Sequence, residues 1–154
     1  GFDVYESNYV RRWTLQLTKY GEHYNYCDVC LAPLDENKFN EVKSELKIIE
    51  AGLMRKTLIA QDFGIYRELI SNGVNGILIP KARNVRGWYE AIKKVIEDKE
   101  YREMLADNLY NFVIDKYTLE AVTVKRVNFY REIYNKKHAE MQLEGSDPKL
   151  VNAE

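Results

Sequence analysis

This sequence predicts an α/β fold built on a parallel sheet, and three observations carry the prediction. The apolar runs CDVCLAPL (27–34), TLIAQ (57–61) and GILIP (76–80) are short and bounded by polar or turn residues, as strands buried in a parallel sheet are. FNEVKSELKIIEAG (39–52) lies between the first two and reads as their crossover helix. Three stretches of helical period follow the third. The order strand, helix, strand, short helix, strand, three helices is that of a sheet flanked by helices.

The elements follow in chain order. Val10 to Leu17 (VRRWTLQL) alternates in part and is an expected edge strand. Lys19 to Tyr26 suits a short helix leading into the next strand. Its Tyr20, Tyr24 and Tyr26 suit either a stacking platform for bases or packing around the strand entry; no interleaved basic pattern accompanies them. The first strand, Cys27 to Leu34, stops at Pro33 and the polar loop Asp35-Glu36-Asn37-Lys38. Asn40 is positioned to cap the crossover helix and Gly52 to fall at or near its end. Val42, Leu46, Ile49 and Leu53 recur at helical spacing and predict its buried face. Thr57 to Gln61 is the second strand. A short helix over 65–71 and turns at Asn72-Gly73 and Asn75-Gly76 lead to the third, Gly76 to Pro80. Three apolar stripes come next: Trp88, Ile92, Val95 and Ile96; Tyr101, Leu105, Leu109, Phe112 and Val113; Val127, Tyr130, Ile133 and Tyr134. They read as core or inter-domain packing. One domain is expected over 1–136, with a polar, frayed tail over 137–154.

Composition narrows the function classes. Of 154 residues, 45% are hydrophobic and 31% charged, which suits a globular domain with a proper core. A net charge of −1 supplies no basic field for nucleic acid, so no nucleic-acid partner is expected. No apolar run approaches the ~20 residues of a membrane helix, and no signal peptide is visible. The opening GFDVYESNYV reads like the interior of a longer protein, so a fragment is expected. Cys27 and Cys30 form a C-x-x-C without a second pair, and on a strand they fall on opposite faces. Two buried structural thiols in a reducing compartment are the expectation, with no metal.

Chemistry concentrates on the crossover helix. Lys43, Lys47 and Glu50 recur on one face with Ser44 beside them. A helix N-terminus carries free N–H groups and partial positive charge, so two lysines there suit a phosphate. A carboxylate two turns on can accept hydrogen bonds from paired sugar hydroxyls. The same spacing also suits a solvated outer face laced by a Lys47–Glu50 pair. Asp62 and Gly64 fall at the carboxyl end of the second strand, where open α/β sheets hold ligands. Gly64 suits either close approach of a ligand or a tight turn.

From Tyr24 to Tyr134 the sequence resembles the C-terminal domain of GT-B glycosyltransferases of retaining family 4, glycosyl transferases group 1. The features, in order, are the strand CDVCLAPL ending near Pro33, then KSELKIIEAG, TLIAQD, Gly64-Ile65-Tyr66-Arg67-Glu68-Leu69, Asn75-Gly76-Ile77-Leu78-Ile79-Pro80, and Tyr117-Thr118-Leu119. Glu50 with Ala51-Gly52 matches the second Glu of the family's Glu-x7-Glu, which binds the nucleotide ribose. Val42 stands where the first Glu belongs, which puts the usual donor-sugar contact in doubt. The variant reads Phe-Asn-x-x-Lys-Ser-x-x-Lys-x-x-Glu, with Lys43 and Ser44 near the helix start.

The resemblance implies a Rossmann-like GT-B C-terminal domain, incomplete at its N-terminal side because a Gly-rich turn and further strands are missing. It implies the donor-binding half of a hexosyltransferase-type enzyme that moves a sugar, with retention, from a nucleotide-diphospho-sugar to a glycan or lipid-linked acceptor. Polysaccharide biosynthesis is the implied setting, and the acceptor is met through an absent N-terminal domain. Lys43, Ser44, Lys47, Glu50 and Gly64 are the implied donor-site residues, with no metal or other cofactor. The isolated chain is expected to be inactive. The full-length enzyme is expected in the cytoplasm with peripheral membrane contact, and an open sheet edge offers a route to a homodimer. Two other readings compete. A non-catalytic α/β interaction or scaffold module fits the same fold, but a receiver would want an acidic cluster at the first strand end. A dinucleotide enzyme would want G-x-G-x-x-G, which is absent.

Overall fold

The computed structural model describes residues 12, 13, 15–81 and 83–145. A 3₁₀ segment, Leu17–Tyr26, leads into the strand β1 (Val29–Ala32). Two helices follow, α1 (Lys38–Glu41) and α2 (Leu46–Leu53), then β2 (Thr57–Gln61), α3 (Gly64–Leu69) and β3 (Ile77–Ile79). Three helices close the order: α4 (Val85–Glu97), α5 (Lys99–Tyr117) and α6 (Leu119–Gly145). The chain divides into two compact units, 1–114 and 115–154.

The three strands lie in the order β1-β2-β3 and all pair in parallel. Val29 faces Thr57 in the first pairing and Ile59 faces Ile77 in the second. Every residue of β2 is buried, as its apolar run predicted. β1 is half-buried, with Leu31 49% exposed, because among the described residues it pairs only with β2. One core cluster gathers Ile59 and Ile79 from the sheet with Ala91 and Val95 of α4 and Leu105 of α5. Burying a side chain of this size contributes about 1.5–3 kcal/mol. Polar groups inside this layer are paired: Thr57 Oγ1 donates to Arg102 O at 2.7 Å, and Gln61 Nε2 donates to Ile79 O at 2.9 Å. The backbone N–H of Leu78 donates to Asn72 Oδ1 at 2.9 Å.

The crossover differs from its expected form. It is broken at 42–45 instead of running unbroken, and the predicted apolar face is not the buried one. Val42 is 81% exposed, Leu46 and Leu53 are exposed, and α2 buries Ile48, Ala51 and Gly52 instead. Asn37, not Asn40, caps α1, its side chain accepting from the Asn40 N–H. Asn40 is buried within the helix and donates to Asp35 O at 2.7 Å. Gly52 lies inside α2 against α5, where a Cβ would sit 2.5 Å from Val113 Cγ2.

Four further expectations change. Residues 12, 13, 15 and 16 have no regular structure and Leu17 opens the 3₁₀ segment, so the expected edge strand is not formed there. Val10, Arg11 and Thr14 lie outside the described residues. α6 continues through Gly145, so 137–145 is helical where fraying was expected, and 146–154 lies outside the described residues. The stripe Val127, Tyr130, Ile133 and Tyr134 is exposed, so of its two expected roles core packing is not the one it fills in this chain. Cys27 closes the 3₁₀ segment and lies outside β1, which starts at Val29, so the alternation of a strand does not separate it from Cys30.

Candidate functional site

A pocket of about 460 Å³ opens at the carboxyl end of β1. Its walls are Leu31, Ala32, Pro33 and Leu34 from the strand end, Lys43, Ser44, Leu46 and Lys47 from the α1–α2 break and the start of α2, and Tyr66 from α3. The break creates this wall: it frees Lys43 and Ser44 from a helix and sets them beside the start of α2. No side chain caps α2, whose first residues Leu46 and Lys47 line the pocket. A lysine pair, a hydroxyl and a helix start thus share one cavity at a strand's carboxyl end, a setting suited to an anion.

Glu50 lies one turn beyond Lys47 and is three-quarters buried, its side chain 25% exposed. Tyr24, itself 7% exposed, donates its hydroxyl to Glu50 Oε2 at 2.5 Å. Lys47 Nζ donates to the same oxygen at 3.1 Å and to the hydroxyl oxygens of Tyr20 and Tyr24, each at 3.4 Å. Burial works against the Lys47 ammonium, but the hydrogen bonds to Glu50 and Tyr20 and the charges of Tyr24 and Glu50 outweigh it and raise its pKa. Burial first, then the hydrogen bond to Glu50, raise that of Tyr24. Both groups therefore hold their protons at neutral pH. Tyr66 is raised by burial, pulled back by Lys47 and pushed up by Glu50, so it lies within electrostatic reach of both.

A second cavity of about 400 Å³ adjoins the first and shares Leu31 and Lys47 with it. Arg12, Tyr20, His23, Tyr24, Cys27 and Cys30 complete its lining. The two thiols thus face one cavity, not opposite faces, and both are half-buried rather than buried. Burial, with Cys27 next in weight, pushes the Cys30 thiol up to about 12. Among the described residues no group of three or more His, Cys, Asp or Glu side chains could hold a metal ion. Among them, too, no helix is long and apolar enough to cross a membrane.

The structure brings Lys43, Ser44 and Lys47 to one pocket and joins Glu50 to it through Lys47. Gly64 does not line that pocket. Its φ of +53° and the 3.2 Å between a built Cβ and Glu41 O show a tight turn packed on α1. That turn starts α3, which carries Tyr66 to the pocket wall. Asp62, also at the strand end, is held by Arg67 Nε at 2.8 Å. Sequence reasoning missed Tyr24 and Tyr66 as site residues. Tyr24 was visible among the tyrosines of the strand entry, but its partner stands 26 residues away, beyond any local pattern.

The chain is similar to known proteins in a consistent way. It is 34% identical over 86 residues to α-D-kanosaminyltransferase of Streptomyces kanamyceticus, covering 56% of this chain and 22% of that protein. Its fold matches sucrose-phosphate synthase from Thermosynechococcus elongatus with a TM-score of 0.64 at 21% identity, over 74% of this chain and 27% of the other. HepE of Anabaena, solved in complex with UDP, matches with a TM-score of 0.58 at 21% identity, over 72% and 29%. The C-terminal domain of the glycosyl transferase group 1 protein LpcC from Francisella tularensis matches with a TM-score of 0.60 at 21% identity, over 71% and 53%. The chain therefore spans about a fifth to a half of the length of these relatives. The resemblance of its fold to Rossmann-like GT-B domains is borne out. Residues 6–98, more than half of the chain, match the family described as Glycosyl transferases group 1, and this chain belongs to that family.

Proposed function

We propose that this chain carries the donor side of a retaining glycosyltransferase and binds the nucleoside diphosphate of a nucleotide-diphospho-sugar. The observation that carries the reading is the convergence of Lys43, Ser44 and the uncapped start of α2 on one pocket, with Glu50 a turn beyond Lys47. Similarity to a kanosaminyltransferase and, in fold, to a UDP-bound structure supports it. In this reading Lys43, Ser44 and the amides of α2 meet the diphosphate, whose negative charge grows as the glycosidic bond to the donor breaks. Fixed positive groups aimed at growing charge lower the barrier without reorganising at the moment of reaction. Glu50 accepts hydrogen bonds from the ribose hydroxyls and moves no proton. Lys47 contributes charge at the wall shared by the two cavities. The acceptor, a glycan or a lipid-linked sugar, belongs to the partner domain of the two-domain enzyme, and the isolated chain does not turn over.

Calorimetric titration of the chain with UDP, GDP and ADP tests this reading. Selective binding of one diphosphate, weakened about tenfold by Lys43→Ala and by Glu50→Gln, is the expected result for charged hydrogen bonds. No binding of any of the three by a folded sample, or binding indifferent to both substitutions, overturns it.

A further inference from the structure

We propose that Tyr24 and Lys47 are positioning residues that clamp the Glu50 carboxylate, so that the site distinguishes a ribose from a sugar lacking its hydroxyls. The inference rests on the donor reading above and concerns how Glu50 works within it.

The geometry is directional. An ammonium has three protons to give, and Lys47 Nζ has three oxygen acceptors: Glu50 Oε2 at 3.1 Å, Tyr20 Oη at 3.4 Å and Tyr24 Oη at 3.4 Å. Tyr24 accepts from Lys47 and donates its own hydroxyl hydrogen bond to Glu50 Oε2 at 2.5 Å. Both donors to Glu50 among the described residues therefore meet at Oε2. A carboxylate fixed through one oxygen presents the other at a set angle. A free glutamate would have to give up rotamer freedom on binding, at a cost that falls on affinity.

Tyr24 is also placed to hold this arrangement. Its ring is buried on the 3₁₀ segment, and β1, which follows that segment, is tied to β2 by parallel pairing. Lys47 and Glu50 share α2, where a spacing of three puts them on the same face. The clamp thus joins two segments that reach the site independently. Raising the pKa of the Tyr24 phenol keeps it a donor at every pH at which the enzyme would work. Lys47 has its protons committed to the clamp, which leaves Lys43 as the lysine free to meet phosphate.

The test is a ratio of affinities. The chain is titrated with UDP, GDP and ADP and with the 2′,3′-dideoxy form of each, for the wild type, Tyr24→Phe and Lys47→Met. The wild type is expected to bind its preferred ribonucleotide about tenfold or more tightly than the dideoxy form, the weight of hydrogen bonds to a charged acceptor. Tyr24→Phe is expected to shrink that ratio at least threefold while dideoxy affinity stays within twofold of wild type. Lys47→Met, at a half-exposed position, is expected to shrink it too and serves if Tyr24→Phe does not fold. A ratio unchanged in a folded variant overturns the clamp and leaves the donor reading standing. Equal losses for both ligands also overturn it, since that is the mark of a merely structural role. A wild type that binds no diphosphate overturns both.

Discussion

Gly52 gives the sharpest test of the packing that holds the site. It lies inside α2, where replacing glycine by alanine at an exposed position gains about 1 kcal/mol of helix stability. Here the sign should reverse. A Cβ at Gly52 would stand 2.5 Å from Val113 Cγ2, 3.1 Å from Val113 Cβ and 3.1 Å from Leu109 O. Rotation of Val113 relieves the first contact. The other two involve atoms fixed to the α5 backbone, so α2 and α5 must part by a few tenths of an ångström. Overpacking of this kind costs about 1–3 kcal/mol. Set against the propensity gain, Gly52→Ala should destabilise by up to about 2 kcal/mol, which lowers Tm by up to roughly 8 °C for a chain of this length. Thermal unfolding followed by circular dichroism measures it, with Val113→Ala and the double variant completing a cycle. The two substitutions should couple favourably by about 0.5 kcal/mol or more, because removing the Val113 methyls makes room for the new one. A Gly52→Ala chain that melts higher than wild type, or a strictly additive cycle, would refute the close α2–α5 contact.

Other outcomes follow from the same coordinates. Leu105→Ala empties the centre of the core cluster, where the side chain is fully buried, and should cost about 2–5 kcal/mol in urea unfolding. Thr57→Val keeps the shape but removes the hydrogen bond to Arg102 O, and should cost about 1 kcal/mol in the same assay; no change would mean the bond contributes nothing net. Cys30 has an alkaline signature. Folding raises its thiol from an ordinary 9.0 to about 12, so the folded chain holds this proton after the unfolded chain has lost it. The resulting stability is fully present below pH 9.0 and is lost as pH climbs toward about 12. Cys30→Ala should therefore flatten the fall of Tm between pH 9.0 and about 11, and an identical slope in both chains would remove Cys30 from the account.

Much of the fold was legible because its signals are local. TLIAQ is apolar through most of its length and proves buried at every position, and the stripe Leu105, Leu109 and Val113 is buried as its spacing said. The crossover misled for a physical reason. Val42, Leu46, Ile49 and Leu53 have good helical periodicity, yet period alone cannot see that Asn37 caps a short first helix and that the chain then breaks. Once α2 starts afresh at Leu46, its buried face is set by Ile48, Ala51 and the glycine that admits α5. The site divides in the same way. Lys43, Ser44, Lys47 and Glu50 were legible as a short-range pattern. Tyr24 and Tyr66 were not, since only the sheet brings segments so distant in sequence to one place. Gly64 was legible as a turn, and the structure favours that alternative over direct approach to a ligand.

The buried amide of Gln61 has a consequence for how the sheet finds its alignment. β3 is only three residues long and reads Ile-Leu-Ile, so a sideways slip along β2 would bury much the same hydrocarbon in any frame. Apolar content is therefore a poor judge of which frame is right. The Gln61 amide on β2 supplies the missing discrimination through the carbonyl of Ile79. A slipped strand would leave the Gln61 amide buried without a partner, a penalty of about 1–3 kcal/mol that the apolar side chains could not recover. The alignment of β3 is thus proofread by a polar group, and a Gln61→Leu chain should lose frame selection before it loses hydrophobic content.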